Sequence, residues 1–295
     1  MIVGADDGGE CQLMCLVLLG WRVHPRYRLI VAANRDEYHV RRSAPMRAWP
    51  EVPGLLAGRD LDAGPGLPGV WLGFRAGQGE GRFAAVTNVN RFGRGATRGS
   101  SRGHLTRDYL CGADSASQFV RRAAGDASGS YDGYNLVLSD LHQLWWFSNS
   151  GPQSRRCLAP GWYAVANDAA VHTIDETDAV PATAMAHKAR RGLHALAAVV
   201  RSEVDTVRAY LDMLTDRTPV AMSEVVAEPG IPVALQRMLS ARFLSNRLYG
   251  TRCSTVLLIG EDGSYRMCER RFGRHRDSVT GSEHRGRVEL AEVGR

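Results

Sequence analysis

The architecture turns on residues 15–38, CLVLLGWRVHPRYRLIVAANRDEY. Two apolar runs, 15–21 and 27–33, flank a short polar link containing Pro25. Such a pair reads as adjacent strands of a hairpin. The second run gives way to Asn34-Arg35-Asp36-Glu37, a dense polar group expected at a strand end. Thirteen residues without apolar periodicity precede the Met14-Cys15 pair at the head of the first run. Cys15 is therefore either a core thiol or a catalytic one, and the choice depends on where the mature chain begins.

The same alternation of apolar runs and turn residues recurs along the chain. Residues 70–75 and 82–88 form a strand pair around the glycine-rich turn 77–81, and 135–139 pairs with 143–148. A strand near 162–166 ends in Asn167-Asp168, and 253–259 pairs with 265–270 around Glu261-Asp262-Gly263. Helical periodicity falls near 103–111, 115–124, 183–200, 204–215 and 233–240. Residues 41–69, rich in Arg, Pro and Gly, read as a long ordered loop, and 91–103 as a second one. The expected organisation is an extension at 1–13, a single domain at 14–272 and a mobile charged tail at 273–295. Antiparallel pairs at both ends with helices between them argue an α+β protein.

Composition narrows the function classes. With 295 residues, 44% hydrophobic and 23% charged, the chain is an ordinary globular protein. The net charge of +6 is carried almost wholly by arginine, since Lys188 is the only lysine. No basic helix, finger or aromatic RNA-reading strand accompanies that charge, so nucleic acid is not an expected partner. Six cysteines are scattered without a C-x-x-C pair, which indicates neither a zinc site nor a disulfide framework. The run 15–21 is too short to span a membrane, and acidic residues precede it, the wrong polarity for a secretory signal. A reducing cytoplasm is the expected compartment.

Four polar clusters at strand ends carry complementary chemistry. Asp36 can accept hydrogen bonds from an amine, Asn88 and Asn167 can donate amide N–H groups to a developing oxyanion, and Arg252 can support a thiolate. Cys15 would be the nucleophile if it came first in the mature chain. Its free α-amine, with a pKa of about 7.7–8.0, would then be a general base tethered to the sulfur-bearing residue. Taken singly, each residue also has a plain structural role. A cysteine at a strand start is usually a small buried hydrophobe, an asparagine at a strand end a turn former, and Asp36 beside Arg35 a local ion pair. The arginines of the two long loops would suit an anionic ligand.

Several segments together carry a family likeness. They are Met14-Cys15-Leu16, Leu29-Ile30-Val31-Ala32-Ala33-Asn34-Arg35-Asp36-Glu37, Trp71-Leu72-Gly73, Phe83-Ala84-Ala85-Val86-Thr87-Asn88, Ser101-Arg102-Gly103, Tyr134-Asn135-Leu136-Val137, Val165-Ala166-Asn167 and Tyr249-Gly250-Thr251-Arg252-Cys253-Ser254-Thr255. Over roughly residues 14–272 the chain resembles the NRDE family, also called the Transport and Golgi organisation protein 2 family. That resemblance implies an N-terminal nucleophile (Ntn) hydrolase fold, a four-layer αββα sandwich, in members that begin Met-Cys. Similarity to the choloylglycine and penicillin V acylases implies that Cys15 attacks a non-peptide amide or acyl substrate. Its freed amine would act as base, Asp36 would hold that amine, Asn88 and Asn167 would line the oxyanion site, and Arg252 would support the thiolate. Asn34 and Arg35 would contact the substrate. Where those acylases carry an arginine, three residues before the aspartate, this chain has Ala33. Hydrolysis would need no cofactor. The family also implies a second possibility, a non-catalytic carrier of haem or an acyl-CoA-like lipid ligand. Under the hydrolase reading Met14 is the expected initiator and Cys15 the first mature residue.

Overall fold

Leu16-Val17-Leu18-Leu19-Gly20-Trp21 forms strand β1 (Leu16–Trp21), every residue of which is buried. Continuous apolar character of that length suits a strand covered on both faces. It pairs antiparallel with β2 (Tyr27–Tyr38), as expected, but β2 runs on through Asn34-Arg35-Asp36-Glu37 and does not end there. The computed structural model describes residues 15–77, 81–89, 99–125, 130–151, 155–174, 183–202, 204, 206–228, 231–273 and 278–290. The extension 1–13 and Met14 lie outside the described residues.

In chain order the next strands are β3 (Ser43–Ala48), β4 (Leu55–Asp60), β5 (Leu72–Ala76) and β6 (Gly81–Asn88). Helices α1 (Gly103–Cys111) and α2 (Ala116–Gly125) precede β7 (Tyr134–Ser139), β8 (Leu144–Ser148), β9 (Arg155–Leu158), β10 (Gly161–Val165) and β11 (Val171–Thr173). Helices α3 (Ala184–Arg201), α4 (Val207–Met213) and α5 (Val233–Leu239) lead to β12 (Tyr249–Gly260), β13 (Ser264–Phe272) and β14 (Ser278–Arg287). Among the described residues the strands make two antiparallel sheets of seven, in the orders β11-β10-β1-β2-β12-β13-β14 and β3-β4-β5-β6-β7-β8-β9. With five α-helices among the described residues, the architecture is α+β.

Alternation of side chains along the strands generates three apolar cores. Val17, Leu19, Val31 and Ala33 of the first sheet meet Leu72, Phe74, Phe83, Ala85 and Val137 of the second. The other face of β1 and β2, carrying Leu16, Leu18, Ile30 and Ala32, packs on Ala189, Leu193 and Leu196 of α3, Tyr210 of α4 and Leu239 of α5. Ala84, Leu136 and Leu138 pack on Leu105 and Tyr109 of α1 and Phe119 of α2. Thr183 caps the N terminus of helix α3, its side chain accepting from the Ala186 N–H. It approaches β1 so closely that a Cβ at Gly192 would lie 2.8 Å from a Leu18 methyl.

Two expectations give way. The 41–69 loop contains β3 and β4, and β3 is an edge strand whose pairing shifts between Ala44 and Arg47. Pro45 lies inside that shift, where its missing N–H removes no ladder bond. The tail expected at 273–295 contains β14, which pairs with β13 from Ser264↔Arg287 to Phe272↔Ser278. No helix among the described residues is long and apolar enough to cross a membrane.

Candidate functional site

The polar block of β2 obeys the same two-residue period as the apolar residues before it. Asn34 and Asp36 share the face of Ile30 and Ala32, toward the helices, while Arg35 and Glu37 share the face of Val31 and Ala33. Four consecutive polar residues are thus divided between two environments.

On the helix side, the fully buried Asn34 amide donates to the carbonyls of Leu214 at 2.9 Å and Arg242 at 2.8 Å, and accepts from Ser254 Oγ at 2.6 Å. Asp36 is also fully buried. One carboxylate oxygen accepts from Lys188 Nζ on α3 at 2.9 Å and the other from Thr251 Oγ1 at 2.6 Å. Burial raises the Asp36 carboxyl, while Lys188, the Thr251 hydroxyl and Arg35 pull it back down. Asn34 is therefore a strut of the helical layer and not the substrate contact expected of it. Lys188 escaped the reading of the sequence, though its signal was present: the only lysine lies on the buried stripe of α3 with Ala184, Met185, Ala189, Gly192 and Leu193.

On the other side, Cys15, Arg35, Glu37, Arg41, Asp60, Trp71, Asn88, Ser101, Arg102 and Asp132 are among the residues lining a cleft of about 500 Å³. Cys15 precedes Leu16, which is in register with Asn34, so continuing that register sets it opposite Arg35. Its Sγ lies 4.0 Å from the main-chain carbonyl of Asp36. Burial, followed by the charge of Asp36, pushes the Cys15 thiol up to about 12, against a smaller opposing pull from Arg35. The thiol is thus held in its protonated form at neutral pH, and a base that takes the proton as the bond forms would favour reaction at this sulfur.

Arg35 Nη2 contacts Glu37 Oε2 at 3.1 Å and Asp60 Oδ2 at 3.5 Å. Its Nη1 is buried without a partner among the described residues. Arg35 itself lines the cleft, two residues along the face on which Ala33 is buried. Three of the four arginines in residues 41–69 are committed to acidic partners. Arg41 is paired with Asp60 at 3.0 Å, Arg42 with Asp62 at 2.8 Å and Arg59 with Glu51 at 2.7 Å. These pairs remove much of the positive field that would favour an anionic ligand. Arg91, Arg94 and Arg98 of the second loop fall outside the described residues.

The two asparagines are brought together. Asn88, at the end of β6, lines the cleft, and its main-chain carbonyl accepts from Asn167 Nδ2 at 2.7 Å. Beside them Asn135 Nδ2 donates to Thr87 Oγ1 at 3.1 Å and to the carbonyls of Ala166 at 3.2 Å and Asp168 at 2.8 Å, tying the second sheet to the segment that carries Asn167. Arg252 stands apart. The pairing of β12 with β2 shifts between Thr251, opposite Asp36, and Cys253, opposite Arg35, which makes Arg252 the extra residue of a bulge. Its Nη1 donates to the carbonyls of Tyr38 at 2.8 Å and Arg41 at 3.2 Å. It lines a separate, smaller cavity with Cys253, Glu269 and Arg271. The thiol that shares a face with Arg35 from this strand is Cys253, itself pushed well up by burial and by Glu269.

A family profile for Transport and Golgi organisation 2 matches residues 14–274. The chain is similar to the Transport and Golgi organization protein 2 homolog of Bos taurus, 27% identical over 274 residues, and to that of Homo sapiens, 26% identical over 270 residues. The Mus musculus protein of the same description is 24% identical over 282 residues. Each alignment covers 87% of this chain and 92% of the relative.

Proposed function

The chain belongs to the Transport and Golgi organisation 2 family, and from that membership and the cleft together we propose that it is an amidohydrolase or acyl hydrolase with Cys15 as an N-terminal nucleophile. The observation that carries this reading is the position of Cys15 on the wall of a cleft that Arg35, opposite it in the extended β1–β2 register, also lines. Three successive cores, with helices outside each sheet, support the four-layer αββα sandwich of Ntn hydrolases.

In the proposed reaction the α-amine of Cys15 takes the thiol proton while sulfur bonds to the substrate carbonyl carbon. The oxyanion forms against the amide of Asn88 and the guanidinium of Arg35, donors most effective where water is excluded. Asn167 acts through Asn88, holding its main chain. Collapse breaks the C–N or other acyl bond, and the leaving group departs with the proton held by the amine. Water then attacks the thioester, giving a carboxylic acid and restoring the thiol. No cofactor enters the cycle.

The test is intact mass spectrometry of the purified chain, to establish its mature N terminus, followed by exposure to an activated acyl ester. Wild type gains one acyl group at Cys15 and loses it on standing, whereas Cys15→Ala gains none there. A chain that turns over substrate with residues 1–13 still attached refutes the amine as base. The second reading, a carrier of haem or of an acyl-CoA-like ligand bound noncovalently, draws on the strongly protonated state of the Cys15 thiol. Saturable haem binding with the same affinity in Cys15→Ala would favour it.

A further inference from the structure

The one lysine in a chain whose net charge of +6 rests on arginine is fully buried against a fully buried aspartate. Asp36 lines the cleft, but Lys188 has no part in the reaction described above. We propose that Lys188 is a positioning residue of the Cys15 site: its ammonium balances the Asp36 carboxylate, so that Asp36 can orient the Cys15 α-amine without locking it as an ammonium. This rests on the N-terminal nucleophile reading and gives it a requirement that the reading alone does not state.

A general base must be neutral to accept a proton. A buried carboxylate beside an amine favours the charged ammonium, because opposite charges attract strongly where water is excluded. An aspartate that merely held the amine would therefore disable it. Here Asp36 already has a cation 2.9 Å away and a hydroxyl donor, Thr251 Oγ1, at 2.6 Å. It can accept a third hydrogen bond with its charge compensated. Lysine suits the position because an ammonium is a compact point charge, whereas a guanidinium brings five N–H donors that would each need a partner in the apolar stripe of α3.

Other charged and titratable groups also face Cys15. From β2 these are Arg35 and Glu37, which are paired with each other. Arg102, just ahead of α1, also lines the cleft, as do Arg41, Asp60 and Asp132. Cys253 on β12 lies beyond Arg35. Of the two charges nearest the Asp36 carboxylate, Lys188 approaches from the helical layer and Arg35 from the opposite face. Arg35 is already engaged by Glu37 and Asp60, which leaves Lys188 as the compensating charge.

The experiment follows the pH dependence of Cys15 acylation by an activated acyl ester, read by site-resolved mass spectrometry, in wild type, Lys188→Met and the double variant Lys188→Met/Asp36→Asn. Removing the ammonium alone should raise the midpoint of the acid limb by about one pH unit or more, cutting acylation at neutral pH about tenfold. Removing both charges should return the midpoint to within about half a unit of wild type. If Lys188→Met does not fold, the charge-balanced double variant decides the matter: a midpoint a unit or more from wild type overturns the proposal. So does a folded Lys188→Met with an unchanged midpoint, since loss of a purely structural ion pair lowers stability without moving that limb. A wild-type chain with a free Cys15 terminus that takes no acyl group overturns the hydrolase reading and this inference with it. Acylated wild type with an unmoved variant overturns the role of Lys188 alone.

Discussion

Asn34→Ala should unfold the protein well before it harms the cleft. The asparagine amide makes three hydrogen bonds at 2.6–2.9 Å, two to main-chain carbonyls after α4 and α5 and one from Ser254. Truncation leaves both carbonyls and the hydroxyl buried and unmatched, at about 1–3 kcal/mol each when counted separately. Because neighbouring losses are not additive, a total of about 3–5 kcal/mol is expected. Against a typical stability of about 5–15 kcal/mol this is roughly a fifth or more of the whole. It corresponds to a fall in Tm of about 10 °C for a domain of this size. Urea unfolding should show the midpoint reduced at an unchanged slope, with Ser254→Ala costing about 1–2 kcal/mol as the smaller member of the series. Below the transition, acylation of Cys15 should proceed at the wild-type rate. A variant of normal stability that has lost acylation would put the Asn34 side chain in contact with substrate and refute the assignment to the helical layer.

The buried thiols should make stability fall at alkaline pH. An unfolded cysteine loses its proton near 9.0 whereas Cys15 keeps it to about 12, so between those values the folded state binds the extra proton and loses about 1.4 kcal/mol per pH unit; Cys253 acts in the same direction. Urea midpoints measured above and below pH 9 should fall less steeply in Cys15→Ala and Cys253→Ala, and identical slopes would contradict the burial of these thiols. Arg82→Met should cost about 2–4 kcal/mol, because the guanidinium donates to the carbonyls of Asp114 at 2.6 Å, Ala113 at 3.1 Å and Tyr109 at 3.4 Å where α1 ends. Faster amide exchange confined to the α1–α2 connection would report it, and unchanged exchange would argue against the cap. Asn88→Ala should slow acylation by about 10²–10³ while barely moving the urea midpoint; an equal rate would remove it from the oxyanion site.

The first hairpin was legible because its apolar runs are long and its link is short, and helix α3 because its small and apolar residues recur at helical spacing. The polar end of β2 was misread for a physical reason. Apolar periodicity stops at Ala33, but a strand can continue with charged residues when both faces supply partners, which here come from Lys188, Thr251 and Ser254 on one side and Asp60 on the other. Those partners are distant in sequence, so no local pattern announces them. Edge strands β3, β9, β11 and β14 escape the pattern because edges bury little and so need little apolar alternation, whereas the interior strand β4 (Leu55–Asp60) was hidden in the Arg-, Pro- and Gly-rich stretch read as loop. Cys15 and Asn88 do reach a common cleft. Arg252 does not join them, because a single extra residue in β12 redirects its side chain, and bulges leave almost no trace in composition.

The division of Asn34-Arg35-Asp36-Glu37 between two faces also protects the chain while it folds. Sliding β2 by one residue would carry Asp36 away from Lys188, strand Arg35 among the apolar residues beneath α3 and turn Asn34 into the space between the sheets. Four buried polar groups would lose their partners at once, whereas an apolar run such as Leu29-Ile30-Val31 would tolerate the slip at little cost. The polar block therefore works as a register key for the central strand: a one-residue slip is penalised by the charges it would leave without partners.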